Sequence, residues 1–180
     1  MIHVAWLERT VARWADRDLR WAQAMHRIAC RPAVVATLVL ASRLGDGLVW
    51  YTTMAVLPLV GGPSGAACAL QMLGVGALNF ALYRVLKQRV GRPRPFVDCP
   101  DIRACTHTLD AYSFPSGHTL HAVSFSIVLC FHYPAAAIVA LPFALLVAAS
   151  RVVLGLHYPS DVAVGAAMGT ATAILVLAVN

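Results

Sequence analysis

Residues 150–161 read SRVVLGLHYPSD and contain Arg151 and Asp161, the only Asp, Glu, Lys or Arg residues between positions 111 and 180. The rest of that 70-residue region is apolar or uncharged. A charged side chain within a bilayer is expensive and by default indicates function. A cation, an anion and His157 between them therefore predict a polar site at the edge of a membrane-embedded bundle.

The composition is that of a polytopic membrane protein. Of 180 residues, 59% are hydrophobic and 12% are charged, against about 25% charged residues in soluble domains. The uncharged runs Gly47–Tyr83 and Thr119–Ser150 exceed the ~20 apolar residues that a spanning helix needs. We predict one all-α domain over residues 1–180, a polytopic transmembrane helix bundle with five to six spans. The net charge of +6 suits lipid headgroups or an anionic substrate, and we expect no nucleic-acid partner.

Residues 1–31 form a separate amphipathic segment before the bundle of residues 32–180. Apolar residues recur in it at helical spacing, while most of its arginines fall off that stripe. The stripe consists of Val4, Leu7, Val11, Trp14, Trp21, Met25 and Ile28. Such a pattern predicts a helix lying in the membrane interface. The alternative is a helix packed on its own protein or on a second subunit.

The apolar segments predict the spans and their directions. The predicted spans cover about residues 48–60, 66–86, 117–132, 135–154 and 159–179. Residues 32–42 are short for a span, so they are either a half-crossing segment or the start of a tilted span. The last span contains GAAMG at 165–169, a spacing of small residues that favours close helix packing. Since the third and fourth spans go out and back, residues 87–115 and 151–157 meet at one membrane face.

The segment from 87 to 118, KQRVGRPRPFVDCPDIRACTHTLDAYSFPSGH, carries a cluster of cations and a turn. Lys87, Arg89, Arg92 and Arg94 stand at the end of the second span. Arginine binds phosphate through a planar fork and lysine binds it as a point charge, although a juxtamembrane cluster can also anchor a helix to anionic lipid.

The turn FPSGH at 114–118 opens the third span. Helix N-termini present free N–H groups to anions, and His118 in the first turn is placed to donate a proton.

In the opening stretch, His157 and Asp161 are four residues apart and share a face if both are helical. A carboxylate can then orient the imidazole as a nucleophile. The alternative is a structural Arg151–Asp161 ion pair with His157 as a bystander.

Three spacings resemble the signature of a known family. Lys87–Pro95 fits K-x6-R-P, Pro115–His118 reads P-S-G-H, and Ser150–Asp161 fits S-R-x5-H-x3-D. Together they resemble the type 2 phosphatidic acid phosphatase superfamily, lipid phosphatases that share a site with vanadium haloperoxidases. Arg92-Pro93 is a second Arg-Pro pair, and only the spacing favours Arg94.

The resemblance implies roles for eight residues. The catalytic residues would be His157 as nucleophile, Asp161 as its orienting carboxylate, and His118 as the acid that protonates the leaving group and then activates water. The phosphate-binding residues would be Lys87, Arg94, Ser116, Gly117 and Arg151. The resemblance implies no metal and no cofactor.

The expected activity is removal of a terminal phosphate from a lipid mono- or diphosphate through a phosphohistidine, without a metal. The resemblance implies a phospholipid or polyprenyl phosphate substrate, such as undecaprenyl pyrophosphate, phosphatidylglycerol phosphate, phosphatidic acid or lipid A. Alternatives are a lipid-to-lipid phosphotransferase, a non-catalytic lipid-binding protein and, with least support, a haloperoxidase.

The resemblance also implies a bacterial inner membrane protein whose active site faces the periplasm. A Cys99–Cys105 disulfide would agree with that compartment, and two free thiols are the alternative. Membrane lipids are expected partners, and a homodimer is left open.

Overall fold

The computed structural model describes residues 2–108 and 110–179. Within these ranges the regular elements are helical, and no strand occurs, which confirms the all-α prediction. The α-helices are α1 Ile2–His26, α2 Pro32–Arg43, α3 Val49–Val90, α4 Pro95–Asp98, α5 Gly117–His132, α6 Ala137–Val153 and α7 Pro159–Val179. Short 3₁₀ segments, Arg27–Cys30 and Pro134–Ala136, precede α2 and α6.

The first span is longer than the sequence predicts. α2 ends at Arg43 and α3 begins at Val49, and the segment that joins them, Leu44–Leu48, is kinked at Gly47, whose φ of 137° lies outside the helical region. Residues 32–42 are therefore the beginning of a long span and not a half-crossing segment.

α3 consists of two helices joined at Gly62, whose φ of 56° and ψ of −138° lie outside the helical region. Pro63 follows, and proline suits the first turn of a new helix because it has no N–H to satisfy. A Cβ on Gly65 would lie 1.9 Å from the carbonyl oxygen of Leu57, whereas eight residues of continuous helix rise about 12 Å. The chain therefore reverses at GGPSG, residues 61–65, between the first two predicted spans.

The lengths and hydropathy of the helices agree with a membrane bundle. Pro32–Asp98, Pro134–Val153 and Pro159–Val179 are long and apolar enough to cross a membrane, and Gly62 divides the first of them into two. α5 has 16 residues and packs against α3, α6 and α7, which makes it the central helix. The two halves of Pro32–Asp98 together with α5, α6 and α7 correspond to the five predicted spans.

Close contact between α5 and α7 fixes the centre of the bundle. A Cβ on Gly165 would lie 2.6 Å from the Ser116 carbonyl oxygen, and one on Gly169 would lie 2.4 Å from that of Leu120. The small residues of GAAMG therefore allow the backbones to approach closely, as predicted. This contact also sets the position of Ser116, immediately before the turn that carries His118.

α1 docks on the bundle through one face and exposes another. Asp18, Ala22 and His26, spaced four residues apart, are buried, whereas Trp14 and Trp21 on the predicted stripe are 61% and 58% exposed. The packed-helix alternative therefore describes the buried face. An interfacial role for the tryptophan face stays a prediction.

Cys99 and Cys105 are free thiols in the structure. Cys99 is buried, and its Sγ accepts a hydrogen bond from Gln23 Nε2 at 3.2 Å. The free-thiol alternative therefore describes Cys99 and Cys105, and this pair forms no disulfide that would support a periplasmic site.

Candidate active site

The two polar clusters that span counting places on one face line a single cavity of about 820 Å³. Six of the eight predicted site residues line it: Lys87, Arg94, Gly117, His118, Arg151 and His157. Asp161 and Ser116 are buried and do not belong to the lining.

His157 is held in the loop between α6 and α7. The backbone N–H groups of Leu156 and His157 both donate to the Arg151 carbonyl oxygen, at 3.0 and 2.9 Å. Gly155 makes the turn with a φ of 76°, and a Cβ there would lie 2.5 Å from the Arg103 carbonyl oxygen. The loop therefore requires glycine at this position.

The two ring nitrogens of His157 face different groups. Nε2 lies 3.3 Å from Arg94 Nη1, while Nδ1 lies 3.7 Å from Asp161 Oδ2, beyond hydrogen-bond distance. The side chain is 2% exposed. Burial, followed by the charges of Arg151 and Arg94, holds the pKa of His157 well below its usual range. The imidazole is therefore neutral at pH 7, and its unprotonated Nε2, which accepts a hydrogen bond from Arg94, is a nucleophilic nitrogen.

Asp161 lies beneath His157 and is completely buried. Its Oδ1 accepts a hydrogen bond from Arg92 at 2.7 Å, and its Oδ2 accepts one from the backbone N–H of Tyr158 at 2.9 Å. Its ion-pair partner is Arg92, whereas Arg151 donates to Ser42. The alternative of a structural Arg151–Asp161 pair is therefore wrong.

Arg92 and Arg94 occupy different places, which resolves the choice between the two Arg-Pro pairs. Arg94 is 2% exposed and lies beside His157. Arg92 bridges Asp161 and Asp18, and its guanidinium carbon lies 3.8 Å from the centroid of the Tyr158 ring. Of the two, Arg94 lines the cavity, as the spacing predicts, whereas Arg92 does not line it and holds Asp161 instead.

Lys87 and Arg94 share one carboxylate that the sequence analysis did not identify. Asp110 Oδ1 lies 2.8 Å from Lys87 Nζ and 2.9 Å from Arg94 Nη2. Burial opposes ionisation of Asp110, but the two cations outweigh burial and lower its pKa. A charged carboxylate therefore stands where two predicted phosphate-binding groups converge.

Arg151 lines the cavity together with Arg84, Lys87 and Arg94, and it is 2% exposed. Its Nη1 donates to Ser42 Oγ at 2.5 Å, but its buried Nε has no hydrogen-bond partner among the described residues. A buried charged donor without a partner is costly. An anionic oxygen in the cavity would satisfy it.

The three predicted residues at the start of α5 differ in whether they line the cavity. Gly117 and His118 line the cavity. The Ser116 hydroxyl lies 3.0 Å from Thr119 Oγ1, and the Ser116 N–H donates to the Asp161 carbonyl oxygen at 3.1 Å. Direct phosphate binding by Ser116 stays a prediction. The backbone hydrogen bond from Ser116 to Asp161 connects the start of α5 to α7.

Asp46 is a second carboxylate that the sequence analysis missed. It lies in the kinked segment of the first span, lines the cavity and contacts Nε2 of His118. An acidic residue in an otherwise apolar helical segment is a signal that could have identified it.

The fold and the cavity define a helical integral membrane protein with a cationic, histidine-bearing site. A family model described as the PAP2 superfamily matches residues 68–180. The chain is 32% identical over 149 residues to the decaprenylphosphoryl-5-phosphoribose phosphatase of Mycobacterium tuberculosis (strain ATCC 25618 / H37Rv), which covers 81% of this chain and 80% of that relative.

Two solved structures share the fold. The crystal structure of Aquifex aeolicus LpxE matches with a TM-score of 0.78 and 25% identity, covering 88% of this chain and 93% of that one. The transmembrane PAP2 type phosphatidylglycerolphosphate phosphatase from Bacillus subtilis matches with a TM-score of 0.69 and 26% identity, covering 88% and 84%. The chain belongs to the PAP2 superfamily. This finding confirms the resemblance and the prediction of a membrane phosphatase.

Proposed function

We propose that this protein hydrolyses the terminal phosphate of a lipid mono- or diphosphate through a phosphohistidine at His157, without a metal ion. The placement of His157 Nε2 among the cavity cations, 3.3 Å from Arg94 Nη1, carries the proposal. A neutral imidazole at that position is ready to attack a phosphorus atom whose oxygens the cations hold.

In the first step, Lys87, Arg94 and Arg151 bind the phosphoryl oxygens, helped by the N–H groups at the start of α5. Nε2 of His157 attacks phosphorus, and the bond to the lipid oxygen breaks as the N–P bond forms. His118 gives its proton to the departing oxygen. Asp161 balances the positive charge on the phosphorylated imidazole. Positioning and charge stabilisation supply most of the catalysis in such a transfer.

In the second step, water replaces the lipid alcohol. His118, now neutral, removes a proton from water, and the oxygen attacks phosphorus. The N–P bond breaks, inorganic phosphate leaves, and His157 returns to its neutral form. Each histidine ends in its starting state, so the cycle needs no external acid or base.

The cavity has a second, apolar end that fits a lipid chain. Trp50, Met54, Met72, Phe80 and Phe125 line it. Met72 and Lys87 are 15 residues apart on α3, which corresponds to about 22 Å along the helix. A phosphate at the cations would therefore leave room for an acyl or prenyl chain between the helices.

The relatives suggest candidate substrates. Decaprenylphosphoryl-5-phosphoribose and phosphatidylglycerolphosphate, the compounds in two of their names, both carry a terminal phosphate on a lipid. We propose a substrate of this class, a phospholipid or a polyprenyl phosphate. The resemblance supports a location in a bacterial inner membrane with the site facing the periplasm.

The test is phosphate release by purified protein in detergent with EDTA, across a panel of lipid mono- and diphosphates. We expect release that persists in EDTA, disappears in His157→Ala, and is unchanged in His107→Ala, a matched control at an exposed loop histidine. Release that survives His157→Ala would overturn the assignment. Consumption of the lipid without free phosphate would instead indicate phosphotransfer to a second lipid.

A further inference from the structure

Asp46 interrupts the first membrane span, and the local backbone is built around it. Leu44–Leu48 join α2 to α3 through a kink at Gly47, whose φ of 137° lies outside the helical region. An acidic residue inside a span is by default a functional candidate. This observation is independent of the three motifs.

The kinked segment Leu44–Leu48 brings the Asp46 carboxylate to the cavity. The neighbouring Gly45 packs against α6, where a Cβ would lie 3.0 Å from Val147 Cγ2, so the segment lies tightly against that helix. Asp46 lines the cavity, and its Oδ1 contacts His118 Nε2. Arg43 and Arg151 also act electrostatically on Asp46, and Arg151 and His121 act on His118.

We propose that Asp46 is the positioning residue of His118, as Asp161 is that of His157. This inference rests on the proposed function. Asp46 accepts a hydrogen bond from Nε2–H of His118, which fixes the ring and leaves Nδ1 as the nitrogen that exchanges a proton with substrate. The site thus contains two histidine–carboxylate pairs, which use opposite ring nitrogens.

Asp46 contacts the same nitrogen of His118, Nε2, in both steps. In the first step, the proton on Nδ1 of His118 passes to the departing lipid oxygen, and Nε2–H stays on Asp46. In the second step, Nδ1 accepts a proton from water, and the carboxylate stabilises the resulting imidazolium. Asp46 itself neither gains nor loses a proton.

Because Asp46 acts by positioning the acid His118, its loss should slow only those substrates whose leaving group needs a proton. An alkoxide is a poor leaving group and needs a proton from His118, whereas 4-nitrophenolate leaves without one. The measurement is the single-turnover rate of phosphohistidine formation with a lipid monophosphate and with 4-nitrophenyl phosphate. General acids contribute about 10²–10⁴-fold. We expect Asp46→Asn to slow the lipid reaction by about 10²-fold and the aryl reaction by less than about threefold.

Three further variants separate positioning from structural support. Asp46→Glu, which keeps the carboxylate, should recover part of the rate. Asp46→Asn combined with His118→Ala should be no slower than His118→Ala alone, because the two residues act as one unit. Asp101→Asn, at an exposed loop carboxylate, is the matched control and should be unchanged.

Equal slowing of both substrates by Asp46→Asn, or additive losses in the double variant, would overturn the inference and indicate a purely structural role. If wild-type protein forms no phosphohistidine with either substrate, the proposed function itself fails. The two failures are therefore distinguishable. Melting temperatures of all variants identify any substitution that acts through folding.

Discussion

Arg92 donates a hydrogen bond of 2.7 Å to Asp161, the completely buried carboxylate beneath His157. The same guanidinium donates to Asp18 of α1 at 2.8 Å. An arginine at a variable position of the first motif thus connects Asp161 to the N-terminal helix. The fixed residues of the motifs include the groups that would contact phosphate, and Arg92 holds Asp161 in place beside them.

Replacing Arg92 with alanine should damage both stability and activity. Asp161 would become a buried charge without its partner, and removing one member of a buried pair costs about 3–5 kcal/mol in the free energy of unfolding. Thermal unfolding in detergent, together with phosphate release, measures both effects. Arg89→Ala, at an exposed arginine of the same cluster, is the control, and equal losses in the two variants would contradict the assigned role.

Asp18 should fix the position of α1. Its Oδ1 accepts the backbone N–H of Ser160 at 2.9 Å, and its Oδ2 accepts from Arg92 and from the Ser160 hydroxyl. Asp18→Ala removes these acceptors, so we expect faster amide exchange in residues 18–26 and lower activity. Asp16→Ala changes an exposed aspartate of the same helix and should leave the exchange unchanged. Unaltered protection in Asp18→Ala would show that apolar packing alone docks α1.

Much of this site could be predicted from the sequence, because the spacing of the motif residues and the number of spans between the motifs can both be read from a single chain. Lys87, Arg94, His118, Arg151 and His157 meet in one cavity, as those two arguments require. The supporting carboxylates were missed for a physical reason. Asp18 and Asp110 lie in elements with several charges, and only tertiary contacts distinguish a supporting aspartate from a solvated one.

Other features depend on backbone geometry that residue spacing does not encode. The kink at Gly47 joins α2 to α3, so a segment too short to span by itself becomes part of a long span. The kinked segment also carries Asp46, which lines the cavity. Hydropathy places residues 44–48 at a boundary but does not distinguish a kink within a span from a loop between two spans.

Asp110 should compete with anions for Lys87 and Arg94. Because these cations lower its pKa, Asp110 is fully charged at pH 7. Asp110→Asn removes that charge, and we expect inorganic phosphate to inhibit the variant at about tenfold lower concentration, equivalent to about 1.4 kcal/mol. Asp101→Asn should not change inhibition. Weaker inhibition in Asp110→Asn would mean that Asp110 positions the two cations for phosphate.

Gly165 should be needed for the position of the turn that carries His118. A Cβ there would lie 2.6 Å from the Ser116 carbonyl oxygen, which is rigid backbone. Gly165→Ala should therefore displace the start of α5, lowering activity and reducing the free energy of unfolding by about 1–3 kcal/mol. Gly74→Ala is the matched control, because a Cβ at Gly74 has no heavy atom within 4 Å. Equal behaviour of the two alanine variants would show that α7 can move away without consequence.

Burial of neutral His157 should make stability depend on pH. Its pKa in the folded protein is well below the usual value, while the unfolded chain titrates near ~6.5. Below that pH the unfolded state binds one more proton than the folded state, so the free energy of unfolding falls as the pH decreases. The contribution of one such group has a limiting slope of about 1.4 kcal/mol per pH unit, and it levels off above the unfolded pKa.

Melting temperatures of wild type and His157→Asn between pH 5 and 8 measure this contribution. We expect the wild type to lose more stability than the variant as the pH falls below about 6.5. His107→Asn, at an exposed histidine, should retain the wild-type slope. If His157→Asn keeps the full slope, the pKa of His157 is not lowered in the folded protein, which would contradict the buried neutral imidazole described above.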